Sequence, residues 1–240
     1  MYPLICQIGR FSIYSYGLML AIAVLVCGAL FARDAEPLGV SRDCAFDFVF
    51  WVVFSGILGA RVFFVLLNAA YFLKHPVEMV MVQQGGLSWQ GGLIGGSMVA
   101  LIYVKIKKLP LLKMLDVAAP YVALGQAIGR IGCLLNGCCY GRPVAWGMYF
   151  PVHQDRLHPT QIYMTCGLLV LFFVLKKVKK ALPLDGQSFV CYLFGASFLR
   201  FFIEYFRADH GQTYLGLSVF QIVCLMLMGS ALYVLSRLKS

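Results

Sequence analysis

Three segments of this chain set charged and polar side chains inside strongly apolar sequence. The first, Gly129–Gly141, carries Arg130, Asn136, Cys133, Cys138 and Cys139 directly after the apolar run Val117–Ile128. A guanidinium at mid-bilayer costs about 2.5–3.5 kcal/mol even on insertion scales, so Arg130 calls for a partner, and an anion suits it. Guanidinium groups grip phosphate with paired donors, and Asn136 offers a donor and an acceptor together. The glycines Gly129, Gly132, Gly137 and Gly141 let backbone come close to a ligand. In the second segment, Phe198–Arg207, the side chains of Arg200, Glu204 and Arg207 fall at i, i+4 and i+7 on one helix face. They interrupt Phe- and Ile-rich sequence, so they must face a bundle interior or a wet cavity. One carboxylate between two guanidiniums leaves a positive charge, and Arg130 adds another; an Arg130–Glu204 ion pair is the structural alternative.

The third segment, Gly85–Gly96, holds Trp89 and Gln90 among six glycines. Small residues there serve close helix packing, Trp89 suits a membrane interface, and the Gln90 amide can bond a headgroup. His158-Pro159-Thr160-Gln161-Ile162-Tyr163 opens a further helix, with Pro159 fitted to its first turn. Tyr16-Gly17 opens the first span in a similar way. Arg61 also lies within a span and needs a partner, Asp47 or a headgroup. These residues alone amount to a cationic cavity inside a membrane, suited to a lipid phosphate.

The elements that must position them follow from composition. Of 240 residues, 61% are hydrophobic and 12% charged, with mean hydropathy +0.82, whereas soluble domains are nearer half apolar and a quarter charged. The expected class is all-α, a polytopic integral membrane protein in one membrane-embedded domain over residues 1–240, since helices satisfy their own backbone in lipid. Seven spans are expected, roughly Tyr16–Phe31, Phe46–Leu67, Gly86–Val104, Val117–Leu135, Thr160–Leu175, Phe189–Phe206 and Leu217–Leu235, with the third broken or re-entrant. A small external loop region follows the fourth span. The first span lacks a basic leader and a small-residue cleavage site, which argues against a cleaved signal peptide.

Twelve of the 20 Lys and Arg residues, Lys180 among them, fall on alternate loops and the C-terminal tail; Arg10 and five others fall on the opposite side. Lys and Arg favour cytoplasmic loops, so the N-terminus is expected outside and the C-terminus in the cytoplasm. The net charge of +10 is then topological, and the short basic clusters between apolar spans exclude nucleic acid as a partner. The nine cysteines suggest no disulfide framework. Cys133, Cys138 and Cys139, spaced C-x4-C-C without an adjacent histidine, match no familiar zinc spacing, so neither metal nor cofactor is expected.

Assembled in order, these motifs resemble those of the bacterial prolipoprotein diacylglyceryl transferases. The resemblance rests on Gly129-Arg130-Ile131-Gly132 with Asn136-Gly137 and Gly141, on Tyr16-Gly17-Leu18, Gly59-Ala60-Arg61, Gly91-Gly92-Leu93, His158–Tyr163 and Arg200–Arg207. It implies a bacterial inner-membrane enzyme that moves the diacylglyceryl group of phosphatidylglycerol onto the lipobox cysteine in the signal peptide of a preprolipoprotein. A thioether forms and glycerol phosphate leaves. The catalytic set implied is Arg130, Arg200, Glu204 and Gln90. Arg130 and Arg200 bind phosphate, and Glu204 holds the arginines or handles protons. Tyr16, Arg61, Asn136, Gly141, His158, Gln161 and Arg207 bind or orient substrate, with membrane lipids around them. The sequence departs from the family pattern at Gln90, where many members have histidine, at Cys133 (asparagine), at Cys138 (often acidic) and at Met164 (glutamate). A catalytically impaired lipid-binding relative is therefore one rival reading. A transporter of anionic solutes is the other, although no internal repeat supports it.

Overall fold

The computed structural model describes every residue except 9–10, 82–84, 180–181, 183, 209–212, 215 and 240, so Arg10 and Lys180 lie outside the described residues. The protein is mostly helical. Its helices are α1 (Ser15–Ala35), α2 (Arg42–Leu67), a short α3 (Ala69–Phe72), α4 (Trp89–Ile106), α5 (Leu111–Asn136), α6 (Thr160–Val178), α7 (Gln187–Glu204) and α8 (Val219–Lys239). Five of them, α1, α2, α5, α6 and α8, are long and apolar enough to cross a membrane. Large apolar side chains such as Leu25, Phe54, Leu66 and Phe173 stand exposed on them, the surface that lipid covers.

The all-helical expectation is corrected between the helices. Three antiparallel two-stranded hairpins occur there: β1 (Leu4–Ile8) with β2 (Phe11–Tyr14), β3 (Pro143–Phe150) with β4 (Asp155–Leu157), and β5 (Thr213–Tyr214) with β6 (Leu217–Ser218). Pairing gives these short connections partners for backbone groups that would otherwise need water. The expected break in the third span is absent, because α4 runs continuously from Trp89.

The chain forms two compact units, residues 32–111 and residues 1–31 with 112–240. In the first, α2 and α4 run antiparallel with their backbones in contact. A Cβ added at Gly59 would stand 2.5 Å from Gly91 O, and one at Gly95 would stand 2.6 Å from Ser55 O. Gly91, Gly92, Gly95 and Gly96 are thus used in packing, as small-residue helix interfaces use them. Arg61 is corrected here too. Its protein partners are main-chain carbonyls rather than Asp47: the buried guanidinium donates to the carbonyls of Glu78, Met79, Gly85 and Gly86 and lies against the Phe64 and Phe72 rings. It pins the connection between α3 and α4 to α2. Gln90 is exposed at the first turn of α4 and accepts a bond from Ser88 Oγ at 2.6 Å.

In the second unit α1 packs on α5, where a Cβ at Gly132 would meet Met19 at 3.1 Å. The helices α5, α6 and α7 share two buried clusters, one around Ala119, Ala123, Leu175 and Tyr192, the other around Ala127, Met164, Leu168 and Ile203. Asp116 of α5 caps α7 from outside it, accepting from Gly186 N at 2.6 Å and Phe189 N at 3.0 Å. A carboxylate is favourable at a helix N-terminus, where unpaired N–H groups gather. Two further bonds tie the bundle together, Lys176 Nζ to Tyr121 Oη and Gln126 Nε2 to Tyr192 Oη.

Backbone contact between α2 and α4 makes a prediction. Gly95→Val forces the helices apart and lowers stability by about 1–3 kcal/mol, seen as a lower thermal midpoint in detergent. Gly229→Ala, at a glycine with nothing within 4 Å of an added Cβ, leaves the midpoint unchanged or slightly raised. Equal midpoints for Gly95→Val and the unaltered chain would refute the contact.

Candidate functional site

The second unit gathers its polar residues at one end of its helices. The end of α5 contributes Arg130, Cys133 and Asn136; the start of α6, Thr160 and Gln161; the end of α7, Arg200 and Glu204; the start of α8, Ser218 and Gln221; and the start of α1, Tyr16. Glu204 is the centre. Its carboxylate is 1% exposed and sits 2.8 Å from Arg200 Nη2 and 3.7 Å from Arg207 Nε. Ser218 Oγ donates to its other oxygen at 3.1 Å. The Arg200 guanidinium also lies over the Phe220 ring, 5.2 Å from its centroid.

Ser218 and Gln221 explain how α8 is aimed at this carboxylate. Gln221 N donates to Ser218 Oγ at 3.2 Å, and Ser218 N donates to Gln221 Oε1 at 3.0 Å. This is a reciprocal capping box, satisfying two helix-end donors at once. Ser218 therefore starts the helix and holds Glu204 with the same hydroxyl. Sequence reasoning missed both residues, although the Ser-x-x-Gln spacing before an apolar run was a readable signal.

Arg130 is half-buried and enters no ion pair among the described residues. It lies within electrostatic reach of Arg200, as does Arg207, and within reach of Tyr16. Among the described residues, the Glu204 carboxylate pairs with two guanidiniums and Arg130 stands within reach of one of them, so the site is positive in a largely apolar setting. A partly enclosed positive site of this kind favours an anion more strongly than an exposed one, since charge interactions grow as the effective dielectric falls.

The loop after α5 carries the rest. Gly141 pairs with Arg207 as a β-bridge, and Arg142 N donates to Phe206 O at 2.8 Å. A Cβ at Gly141 would stand 2.5 Å from His158 Cβ. The glycine expected to admit substrate is therefore needed by the protein's own packing. His158 is held by Tyr163 Oη at 3.2 Å and faces the Phe206 and Trp146 rings. Thr160 Oγ1 donates to Cys139 O and Gln161 Nε2 to Cys138 O, both at 2.6 Å. Gln161 is 1% exposed, and its Oε1 has no hydrogen-bond partner among the described residues. Leaving a buried acceptor empty costs about 1–3 kcal/mol, which a substrate donor would recover.

The three cysteines of this loop, scattered in spacing, are brought together, with Sγ atoms all within 4.8 Å of one another. Hydrogen bonds from the Cys133 and Cys138 thiols, then the charges of Arg207 and Arg130, hold the Cys139 thiol below its usual range against the opposing effect of burial. Of the expected site residues, Tyr16, Arg130, Asn136, Gly141, His158, Gln161, Arg200, Glu204 and Arg207 belong to this unit, whereas Arg61 and Gln90 belong to the other.

Glu204 is predicted to be indispensable to stability. Glu204→Gln keeps the shape but removes the charge that Arg200 pairs with at 2.8 Å, a loss of about 3–5 kcal/mol for a broken buried pair. Chemical denaturation in detergent measures it; a variant as stable as the unaltered chain would show that the cations are balanced elsewhere.

A family model described as prolipoprotein diacylglyceryl transferase matches residues 3–237. A phosphatidylglycerol–prolipoprotein diacylglyceryl transferase of Trichormus variabilis is 34% identical over 223 residues, covering 86% of this chain and 79% of that protein. The protein of the same name from Bacillus cytotoxicus is 34% identical over 215 residues, covering 85% and 80%. That of Staphylococcus aureus is 30% identical over 251 aligned positions, covering 99% and 90%. By the extent of these matches, this chain belongs to the prolipoprotein diacylglyceryl transferase family.

Proposed function

We propose that this protein transfers the diacylglyceryl group of phosphatidylglycerol to the lipobox cysteine thiol of a preprolipoprotein. The observation that carries this reading is the buried carboxylate of Glu204 paired with Arg200 and Arg207, with the Arg130 guanidinium within electrostatic reach of Arg200. In the reaction the bond between the glyceryl carbon and the phosphate oxygen breaks and a carbon–sulfur bond forms. The thiol proton is released, and glycerol phosphate departs with the electron pair of the broken bond. Negative charge therefore grows on the phosphate in the transition state, where preorganised cations act most strongly. The acceptor reacts as thiolate, a form that a net positive site also favours.

Within this reading Arg130 and Arg200 bind the phosphate. Arg130 is the freest for it, since Arg200 and Arg207 are already engaged by Glu204. Glu204 positions those two arginines. The empty Oε1 of Gln161 suits a hydroxyl or amide donor on either substrate, while Asn136 and Tyr16 flank Arg130. The polar end of the second unit supports these roles without Gln90 or Arg61.

The whole chain, residues 1–240, acts as one transferase with seven spans. Support for seven comes from α4 and α7, each of 18 residues, about 27 Å at 1.5 Å per residue against a hydrocarbon core of about 30 Å. Their hydropathy is lowered by residues already met, the glycines and Gln90 in α4, Arg200 and Glu204 in α7. Seven spans with the observed lysine distribution place the N-terminus outside and the C-terminus in the cytoplasm. The site then opens to the outer face of a bacterial inner membrane, the side on which a secreted preprotein presents its cysteine.

Purified protein incubated with labelled phosphatidylglycerol and a lipobox peptide is predicted to add a diacylglyceryl mass to the peptide cysteine. Arg130→Ala lowers this rate by about 10²–10³-fold, the scale of losing one transition-state donor, while the protein inserts and accumulates normally. Arg130→Lys recovers part of the loss. Lipid binding without any mass gain in the unaltered chain would favour a non-catalytic relative, and near-normal transfer by Arg130→Ala would remove its assigned role.

A further inference from the structure

The transfer as proposed uses none of the three thiols beside the arginines. Cys133 lies in the last turn of α5, and Cys138 and Cys139 lie in the loop that follows. Their arrangement is held from several directions. Cys138 N donates to Cys133 O at 3.1 Å, and the Cys138 thiol points at the same carbonyl at 3.7 Å. The buried side chains of Thr160 and Gln161 fix the carbonyls of Cys139 and Cys138. Cys139 takes a φ of 62°, and Gly137 one of 75°. The left-handed region costs a non-glycine residue on the order of 1–2 kcal/mol, and this tight turn lets neighbouring cysteines share one point with Cys133.

We propose that Cys133, Cys138 and Cys139 form a binding site for one thiophilic d10 metal ion, Zn2+ or Cu+. No histidine or carboxylate completes the cluster among the described residues, and an all-sulfur set selects soft ions over Mg2+ or Ca2+. A metal–sulfur bond of about 2.3 Å places sulfurs roughly 3.8–4.0 Å apart, so the thiols close by about 1 Å at most. Cys138 and Cys139 are half-buried, which leaves an ion access from their side. Binding Zn2+ through three thiols releases three protons and leaves a complex of charge −1; Cu+ leaves −2. Arg207 and Arg130, within electrostatic reach of Cys139, offset that charge. Zn2+ keeps a fourth position for an outside ligand, whereas trigonal Cu+ needs none.

The test uses the full chain in detergent, reduced and stripped with a chelator. One arm titrates Zn2+ against a chromophoric chelator; the other titrates Cu+ without oxygen against a Cu+ chelator. At least one arm takes up one equivalent, and the ion that binds is thereby identified. The bound ion shields Cys133, Cys138 and Cys139 from alkylation, as located by peptide mass spectrometry. Cys139→Ser weakens binding by at least about tenfold, and Cys27→Ser leaves it unchanged. The proposal is overturned if neither ion is taken up, or if the shielded cysteines are others. A disulfide between two of the three in the protein as isolated, with no metal uptake after its reduction, overturns it as well. The shielding pattern needs only the unaltered chain, so it decides the matter even where a serine variant fails to fold.

Discussion

Two arginines are held inside an apolar helix bundle by one buried carboxylate, and much of the second unit is arranged to keep that carboxylate in place. Glu204 sits at the end of α7, so the direction of α7 sets where Arg200 and Arg207 point. Asp116 fixes the other end of the same helix from α5. Ser218 reaches Glu204 from the first turn of α8. Each contact is an ordinary capping or ion-pair interaction. Together they make a positive site that does not collapse on its own counter-ion, because one carboxylate serves two guanidiniums and Arg130 is left over.

That leftover charge separates a site from a structural network. A buried ion pair contributes little net stability, since desolvation offsets most of the attraction. A third guanidinium that pairs with no carboxylate among the described residues costs stability outright. Apolar helices do not carry such a cost without return, and under the proposed function the phosphate of a lipid headgroup is that return. The neighbouring acceptor of Gln161 points the same way: it is a buried polar atom that the fold leaves empty.

Much of this was legible from sequence because charge in a membrane segment is rare. Arg130, Arg200, Glu204 and Arg207 stood out as interruptions of apolar runs, and the helix period placed Arg200 and Glu204 on one face; Arg207, expected on the same face, lies beyond the end of α7 in a bridge to Gly141 and reaches Glu204 from there. The long helices followed from the apolar runs for the same reason. The hairpins did not, since short exposed strands carry no strong period. The protein partners of Arg61 were not legible because they are main-chain carbonyls, which leave no trace in residue types. Gly141 and the glycines of α4 were ambiguous for a related cause: a glycine that admits a ligand and one that admits a neighbouring backbone look the same in sequence. The approach of the three cysteines was not legible in a C-x4-C-C spacing, because it depends on a left-handed turn at Cys139.

The cysteines also bear on the departures from the family pattern. The family pattern that this sequence resembles has asparagine and often an acidic residue where Cys133 and Cys138 stand. Exchanging them for thiols keeps the loop, because its hold on α6 runs through main-chain carbonyls to Thr160 and Gln161 rather than through the changed side chains. Losing an acidic group makes the surroundings of Arg130 and Arg207 more positive. Thiols can return negative charge when they ionise or bind a metal. The same backbone can therefore present a more or a less cationic site according to what the sulfur atoms hold, while the positions of the arginines, set by α5 and α7, stay where they are.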